Sequence, residues 1–473
     1  MSHPAQLQHH HRRPPAQPAY VLRGHAAHVH AVRFLRHNSR LLTGDADGWV
    51  VLWNVATKRA VAVWRAHDGA ILGFGTWAED GLVTHGRDFH LRVWQLGPAH
   101  EQDFSTVLPV DDTAADRKQP WLLHSLPVNT LNFCSFAICP EQPTSSDAST
   151  RSADTVLIAV PSTKDDQVDV FQLPTERRVN TVPNIGQKTG MVMSISLLHS
   201  PSPSGPLHCI TGYESGAAAI HAFSASTNTW SRIYTSHPHA QPILSLSSAP
   251  SPSSSPPQQL STPLTFYTSS ADDLIAKHTA TTALPVNPSP PPSTTTPPSN
   301  PPSLLSTLLS SQQPPSSPSQ PQPHSPPAPV PPAKTNHTKH SGQQSLTVRS
   351  DGRVLATAGW DGRVRVYAAG SLKEVAVLAW HKEGCYAVAF ADVDAGAAAA
   401  DRSVGGGEGG DEDPGREDVG ALIEGGVEGE GTARRAAARK STTVRSRREE
   451  RAAAVHWLAA GSKDGKVSLW EVF

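Results

Sequence analysis

Apolar and polar positions alternate in short runs along this chain, and the runs come in groups. Val29 to Phe34 and Arg40 to Thr43 alternate as half-buried strands do, and Trp49 to Trp53 makes a third run. Val61 to Trp64, Ala70 to Phe74, Gly81 to Thr84 and Leu91 to Trp94 repeat the grouping, with turn residues between runs and no helical periodicity among them. The pattern predicts four short strands per unit. The joint between the second and third runs recurs too. An Asp stands six positions before an aromatic residue at Asp47/Trp53, Asp88/Trp94, Asp361/Tyr367 and Asp464/Trp470, and a Thr stands four before the Asp in the first three. Trp53 and Trp94 are 41 residues apart, the period of propeller blades of the WD40 kind and not of helical repeats. The expected fold is all-β, a WD40 β-propeller.

Fainter units fill the middle. Thr155 to Val160 with Gln167 to Phe171 supply a third, Phe171 standing in the tryptophan place and Asp165 six before it. Ile210 to Gly216 opens a fourth, with Ser215 for the Asp and His221 for the Trp, and Thr268, Asp272 and His278 mark a fifth. The sixth centres on Thr357, Asp361 and Tyr367; the seventh begins at Trp380-His381 and, after a long interruption, ends on Asp464 and Trp470. Seven blades are expected. The chain reaches Phe473 just past the third strand of the last unit, so Tyr20-Val21-Leu22 is expected to supply the missing outer strand and close the ring, removing its exposed edges. Residues 1–19 read as a polar disordered tail and 20–473 as one propeller, interrupted by low-complexity inserts at about 249–263, 285–340 and 395–451. The first two are dominated by Pro and Ser, which lack the apolar content to offset ordering entropy; the third runs acidic from Glu408 to Glu430, then basic from Arg434 to Arg451.

Composition narrows the function classes. A net charge of -1 gives no global attraction to nucleic acid or to anionic membrane, so neither is an expected partner. The four cysteines lack CxxC spacing and suit free thiols in a reducing compartment. No apolar signal-peptide core follows Met1, and no apolar run is long enough to cross a bilayer. There is no phosphate loop, HExxH or zinc-type spacing, so no cofactor or metal is expected, and His9, His10 and His11 on the tail read as incidental.

Two residue sets carry candidate chemistry: His25, Thr43, Asp47 and Trp53, then His67, Thr84, Asp88 and Trp94. A His, a hydroxyl and a carboxylate resemble a hydrolase triad. They also make a buried hydrogen-bonded stack in which Asp holds His, His meets Thr, and Thr meets the indole N–H. Recurrence around a ring favours the structural stack, since an active site has no reason to repeat. The last unit has His381, Asp464 and Trp470 but Ala460 for the Thr, so its stack is expected to be incomplete. The residues just before each Asp, Ala46, Arg87, Trp360 and Lys463, with Asp45 adjacent, fall on one rim and form the expected partner surface. Trp360 there reads either as a contact hot spot or as an indole folded over a neighbouring blade.

Several stretches together resemble the fungal ASTRA-associated protein 1 family: Tyr20-Val21-Leu22-Arg23-Gly24-His25, Leu41 to Asn54 with its Gly44-Asp45-Ala46-Asp47-Gly48-Trp49, Ala62 to His67, Thr84 to Leu96, and the closing Ala459 to Trp470. The resemblance is dense over Tyr20 to Leu96, returns over Asp351 to Phe390 and at the C-terminus, and is loose between. It implies a nuclear, non-enzymatic WD40 scaffold subunit of the ASTRA complex. That subunit would dock Tel/Tti cochaperone proteins, PI3-kinase-like proteins and the paired Rvb-type AAA+ ATPases, in chromatin remodelling and kinase maturation. The inserts depart from the compact family pattern. A G-protein β-like or ubiquitin-ligase substrate-receptor adaptor is the alternative. Against it, no heptad helix precedes Tyr20, and Asn54 and Gln95 follow the tryptophans where one ligase adaptor pattern has Trp-Asp-x-Arg.

Overall fold

Strands that are apolar on both faces need cover on both sides, and a ring of sheets provides it. The computed structural model describes residues 16–78, 80–112, 117–130, 133–142, 155–200, 205–250, 263–281, 328–393, 448–449, 452 and 454–472. They form seven four-stranded antiparallel sheets arranged as a β-propeller. Blade one runs Val29–Leu35, Arg40–Asp45, Trp49–Asn54 and Arg59–Arg65; blade two runs Ile71–Trp77, Gly81–Gly86, His90–Gln95 and Trp121–Pro127. Blade three comprises Ala137–Pro140, Val156–Pro161, Val168–Leu173 and Arg177–Val182, and blade four Val192–His199, Leu207–Tyr213, Ala218–Ser224 and Thr229–Ser236. Blade five is Ile243–Ser248, Leu264–Ser270, Leu274–Ala280 and Lys334–His337, and blade six Gln343–Val348, Val354–Gly359, Arg363–Ala368 and Glu374–Ala379. Blade seven takes Cys385–Phe390, Trp457–Ser462 and Lys466–Glu471 from the chain's end and Tyr20–Arg23 from its start, with Tyr20 opposite Leu469 and Arg23 opposite Lys466.

The core is a set of layers between blades. One layer packs Trp53, Val63, Trp457 and Val467 between the last blade and the first, and the next packs Leu42, Trp64, Phe74 and Trp94 between the first and second. Each large apolar side chain so covered contributes roughly 1.5–3 kcal/mol. Outer strands have a neighbour on one edge only, and some of them read as polar. Lys334–His337 is such a strand, almost wholly exposed yet paired with Leu274 to Lys277. It corrects the interruption expected at 285–340, which ends short of residue 334; an exposed edge strand leaves no apolar signature by which to find it. The tail over 1–15, and most of the inserts, over 251–262, 285–327 and 395–447, lie outside the described residues.

Glycine turns lock blade to blade. Gly48, Gly216, Gly362 and Gly465 each follow the Asp place of their blade and have φ between 71° and 85°. A Cβ on Gly48 would lie 1.9 Å from the carbonyl oxygen of His67, and on Gly465 2.5 Å from that of His25, so each turn sits directly on the loop entering the next blade. The last blade meets the first by the same contact.

Antiparallel order also separates the two ends of the ring. Connections between first and second strands, and between third and fourth, leave from one end; the turns between second and third strands and the blade-to-blade loops leave from the other. The strand ends flanking residues 143–154, 201–204, 251–262, 282–327 and 394–447 all belong to the first end. From that end residues 96–112 of blade two run along blade one toward the other: the Arg40 guanidinium donates to Glu101 at 2.7 Å, Val63 N–H to Ser105 O at 2.8 Å, and Val110 N–H to Gly24 O, on the loop entering blade one, at 3.0 Å. The opposite end, with its Gly turns, carries the candidate site.

Candidate functional site

In blade one, His25 enters on the loop before the first strand and its Nδ1 lies 2.7 Å from Asp45 Oδ2. With that proton donated to the carboxylate, Nε2 accepts the Thr43 hydroxyl at 2.7 Å, and Thr43 Oγ1 accepts the Trp53 indole N–H at 2.9 Å. The carboxylate is therefore Asp45, not Asp47. Asp45 ends the second strand two residues after Thr43, so both side chains leave the same face. Its other oxygen accepts the backbone N–H groups of Asp47 and Trp49, while the Asp47 side chain is exposed. Asp45 is 0 % exposed, which also removes it from the expected partner surface.

Blade two makes the same chain from the turn position: His67 to Asp88 at 2.9 Å, His67 to Thr84 at 2.7 Å, Trp94 to Thr84 at 2.9 Å. Here the residue two after Thr84 is Gly86, where a Cβ would come within 2.2 Å of the His67 ring. No side chain fits there, so the carboxylate comes from two positions further on and is joined by Arg92 at 2.7 Å.

Blade seven corrects a second expectation. Ala460 supplies no hydroxyl, but Ser468 faces it directly across the second and third strands. Ser468 Oγ lies 2.9 Å from His381 and accepts the Trp470 indole N–H at 2.8 Å, so the stack is complete. In blade five, His239 pairs with Asp272 and Thr268, and His278 takes the tryptophan place at 3.0 Å from the Thr268 hydroxyl. Blade six puts Gln343 where the His would be, accepting the Thr357 hydroxyl at 2.7 Å, and sets the buried Arg365 on Asp361 at 2.6 Å. In blade four the His221 ring nitrogens have no hydrogen-bond partner among the described residues. Burial alone would raise the carboxyls of Asp88 and Asp464, but hydrogen bonds and charge from their histidines outweigh it and hold both below the usual range, Asp464 at about 2. Thr43, Thr84 and Thr268 are 0 % exposed, their hydroxyls enclosed within the blades. The sets have the geometry of internal struts.

What faces solvent at this end is a cavity of about 660 Å³ at the mouth of the central channel, walled by blades seven, one, two and three. On the channel wall, His30 of blade one stacks flat on Tyr386 of blade seven, ring centroids 5.2 Å apart and 2° from parallel. Phe133, on the loop into blade three, lies 6.4 Å from His30, and the exposed Arg87 guanidinium sits 4.1 Å over the Phe133 ring. Burial, then neighbouring His28, holds the His30 imidazole below its ordinary value.

Of the expected partner residues, Arg87, Trp360 and Lys463 are exposed at this end, and Ala46 and Arg87 line the cavity. Trp360 folds onto Gly342 of its own blade rather than onto a neighbour, donates its indole N–H to Gln344 at 2.8 Å, and stays 47 % exposed. His28, His30, Phe133 and Tyr386 were not singled out by sequence, because they meet only when distant blades are brought round the ring. Phe89 alone carried a signal. It occupies the turn position where four other blades have Gly, with φ 66°. Among the described residues no group of His, Cys, Asp or Glu has the arrangement to hold a metal ion. The four cysteines are free and buried.

Compared with known proteins, residues 18–470 match the profile of the family described as ASTRA-associated protein 1. Relatives bearing that name include one from Verticillium alfalfae, 42 % identical over 96 % of this chain and 93 % of its own length. Another, from Aspergillus niger, is 40 % identical over 98 % of both chains. One from Schizosaccharomyces pombe is 28 % identical over 79 % of this chain and 93 % of its own.

Proposed function

The chain belongs to the ASTRA-associated protein 1 family, and from that premise we propose that it is a non-catalytic subunit of the ASTRA complex, a nuclear ring on which partner proteins dock. The partners are those the family resemblance implies: Tel/Tti cochaperone proteins, a PI3-kinase-like protein and the Rvb-type AAA+ ATPases. They meet the end of the ring that carries the Gly turns. The observation that carries this reading is the division of labour among polar residues. Every hydroxyl in the His-centred chains of blades one, two, five and seven is bound within its blade. The exposed Arg87, Phe89, Phe133 and Trp360 stand on turns and loops of one end, clear of the long chain interruptions. Aromatic and Arg side chains on a rigid rim are what protein interfaces use as anchors.

Affinity purification of the tagged full chain from nuclear extract at moderate salt, with mass spectrometry of what comes with it, tests the proposal. Recovery of the cochaperone subunits, a PI3-kinase-like protein and the AAA+ pair is the expected result. Recovery of a cullin adaptor or a G-protein subunit in their place would overturn it.

A further inference from the structure

Resting on the docking role proposed above, the geometry points to a narrower assignment for the channel-mouth cavity. It takes an extended segment of a partner protein that carries an Asp or Glu side chain. The carboxylate meets the Arg87 guanidinium and the Thr130 hydroxyl, and a neighbouring apolar side chain lies on Phe89 and Phe133.

Three independent observations converge here. Thr130 lines the cavity, is 2 % exposed, and its hydroxyl has no hydrogen-bond partner among the described residues. A buried hydroxyl left so costs about 1–3 kcal/mol, and an acceptor arriving in the cavity relieves it. Second, the field is one-sided. Among the described residues Arg87 is in no ion pair and is held over the Phe133 ring, and none of those lining the cavity is acidic. The carboxylates nearby are engaged or lie off the wall: Asp45 is fully buried on His25, Asp88 is bound by His67 and Arg92, and Asp68 faces Arg65 at 3.7 Å. Asp47 stands on the adjoining turn outside the lining. Complementary charge selects an anionic side chain.

The third observation is Phe89. An L side chain at φ 66° costs roughly 1–2 kcal/mol, which is why blades one, four, six and seven have Gly there. Phe89 is 51 % exposed, so its own burial offsets little of that strain. Strain retained at an exposed aromatic on a cavity rim marks a contact surface. The cavity, at about 660 Å³, falls in the range that takes a few side chains.

An array of synthetic extended peptides, each containing one Glu flanked by varied apolar residues and each set beside its Gln counterpart, tests the assignment against the full-length protein. The best pair is then titrated by fluorescence anisotropy with the wild type, Arg87→Gln and Phe89→Gly. The assignment expects the Glu peptide to bind about tenfold or more tightly than its Gln counterpart, and Arg87→Gln to abolish that preference. Phe89→Gly should weaken binding with a Tm no lower than wild type, which separates lost contact from lost fold. Equal binding of Glu and Gln peptides, no binding of either, or an Arg87→Gln variant that keeps the preference would overturn it. The docking role is read separately: if tagged wild type and Arg87→Gln recover the same subunits, this assignment falls and the scaffold stands, whereas a wild type that recovers none sinks the scaffold itself.

Discussion

A carboxylate two residues from a threonine on one strand shares its face; four residues away, it needs a turn to bring it back. Blade one uses the first route and blade two the second, and the sequence signature, built on the Asp six before the aromatic residue, describes only the second. Asp45→Ala should therefore cost about 1–3 kcal/mol by stranding His25, while Asp47→Ala stays within about 0.5 kcal/mol; denaturant unfolding of both variants separates them. The hydroxyl of blade seven was hidden for a related reason, since Ala460 and Ser468 exchange roles across a strand pair that is adjacent in space and not in sequence. Ser468→Ala should cost about 1–2 kcal/mol, and the pair Ala460→Thr with Ser468→Val, which moves the hydroxyl back to the second strand, should recover most of it. Buried histidines set the response to pH. Burial pushes His85 and His278 down to about 3 and His208 and His221 to about 4, so the fold holds them neutral. Unfolded, they bind protons below about pH 6.5. Their stabilisation is thus present above pH 6.5 and declines as pH falls toward 4, by up to about 1.4 kcal/mol per pH unit for each. The depressed carboxylates Asp88 and Asp464 act lower, losing their contribution only below about pH 4. A Tm that falls between pH 7.5 and 5, with a smaller fall in His221→Phe, is the expected profile, and a flat one would contradict the burial of these rings.

At the scale of strands and turns, the sequence is legible where a strand is covered on both sides. Trp49–Asn54 and Trp457–Ser462 are buried along their whole length and carry a dense apolar pattern. Arg177–Val182 and Lys334–His337, exposed outer strands, carry almost none. The turns are legible for another reason, because a backbone at positive φ pressed on a neighbour's carbonyl admits little but Gly. Gly48→Ala places a Cβ against His67 O in a left-handed turn and should cost more than about 2 kcal/mol, read as a lowered denaturation midpoint. Phe89 breaks the rule at a turn that lines the channel mouth.

Across the whole molecule, the N-terminal strand closes the ring as the missing fourth strand of the last unit implied, and the Gly465 turn on the His25 loop repeats at the closure the contact made between other blades. Ring and blade number follow from local repeats; the channel-mouth cavity does not. His30, Arg87, Phe133 and Tyr386 come from four blades, and no local pattern places them together. The proposed docking face is the end bearing the Gly turns. Amide hydrogen exchange, comparing the free full-length chain with the same chain in its affinity-purified assembly, locates it. Protection concentrated at the turns and loops around Arg87, Phe133, Trp360 and Lys463 is the predicted result. Protection confined to the opposite end, beside the strand ends that flank the long interruptions, would contradict it.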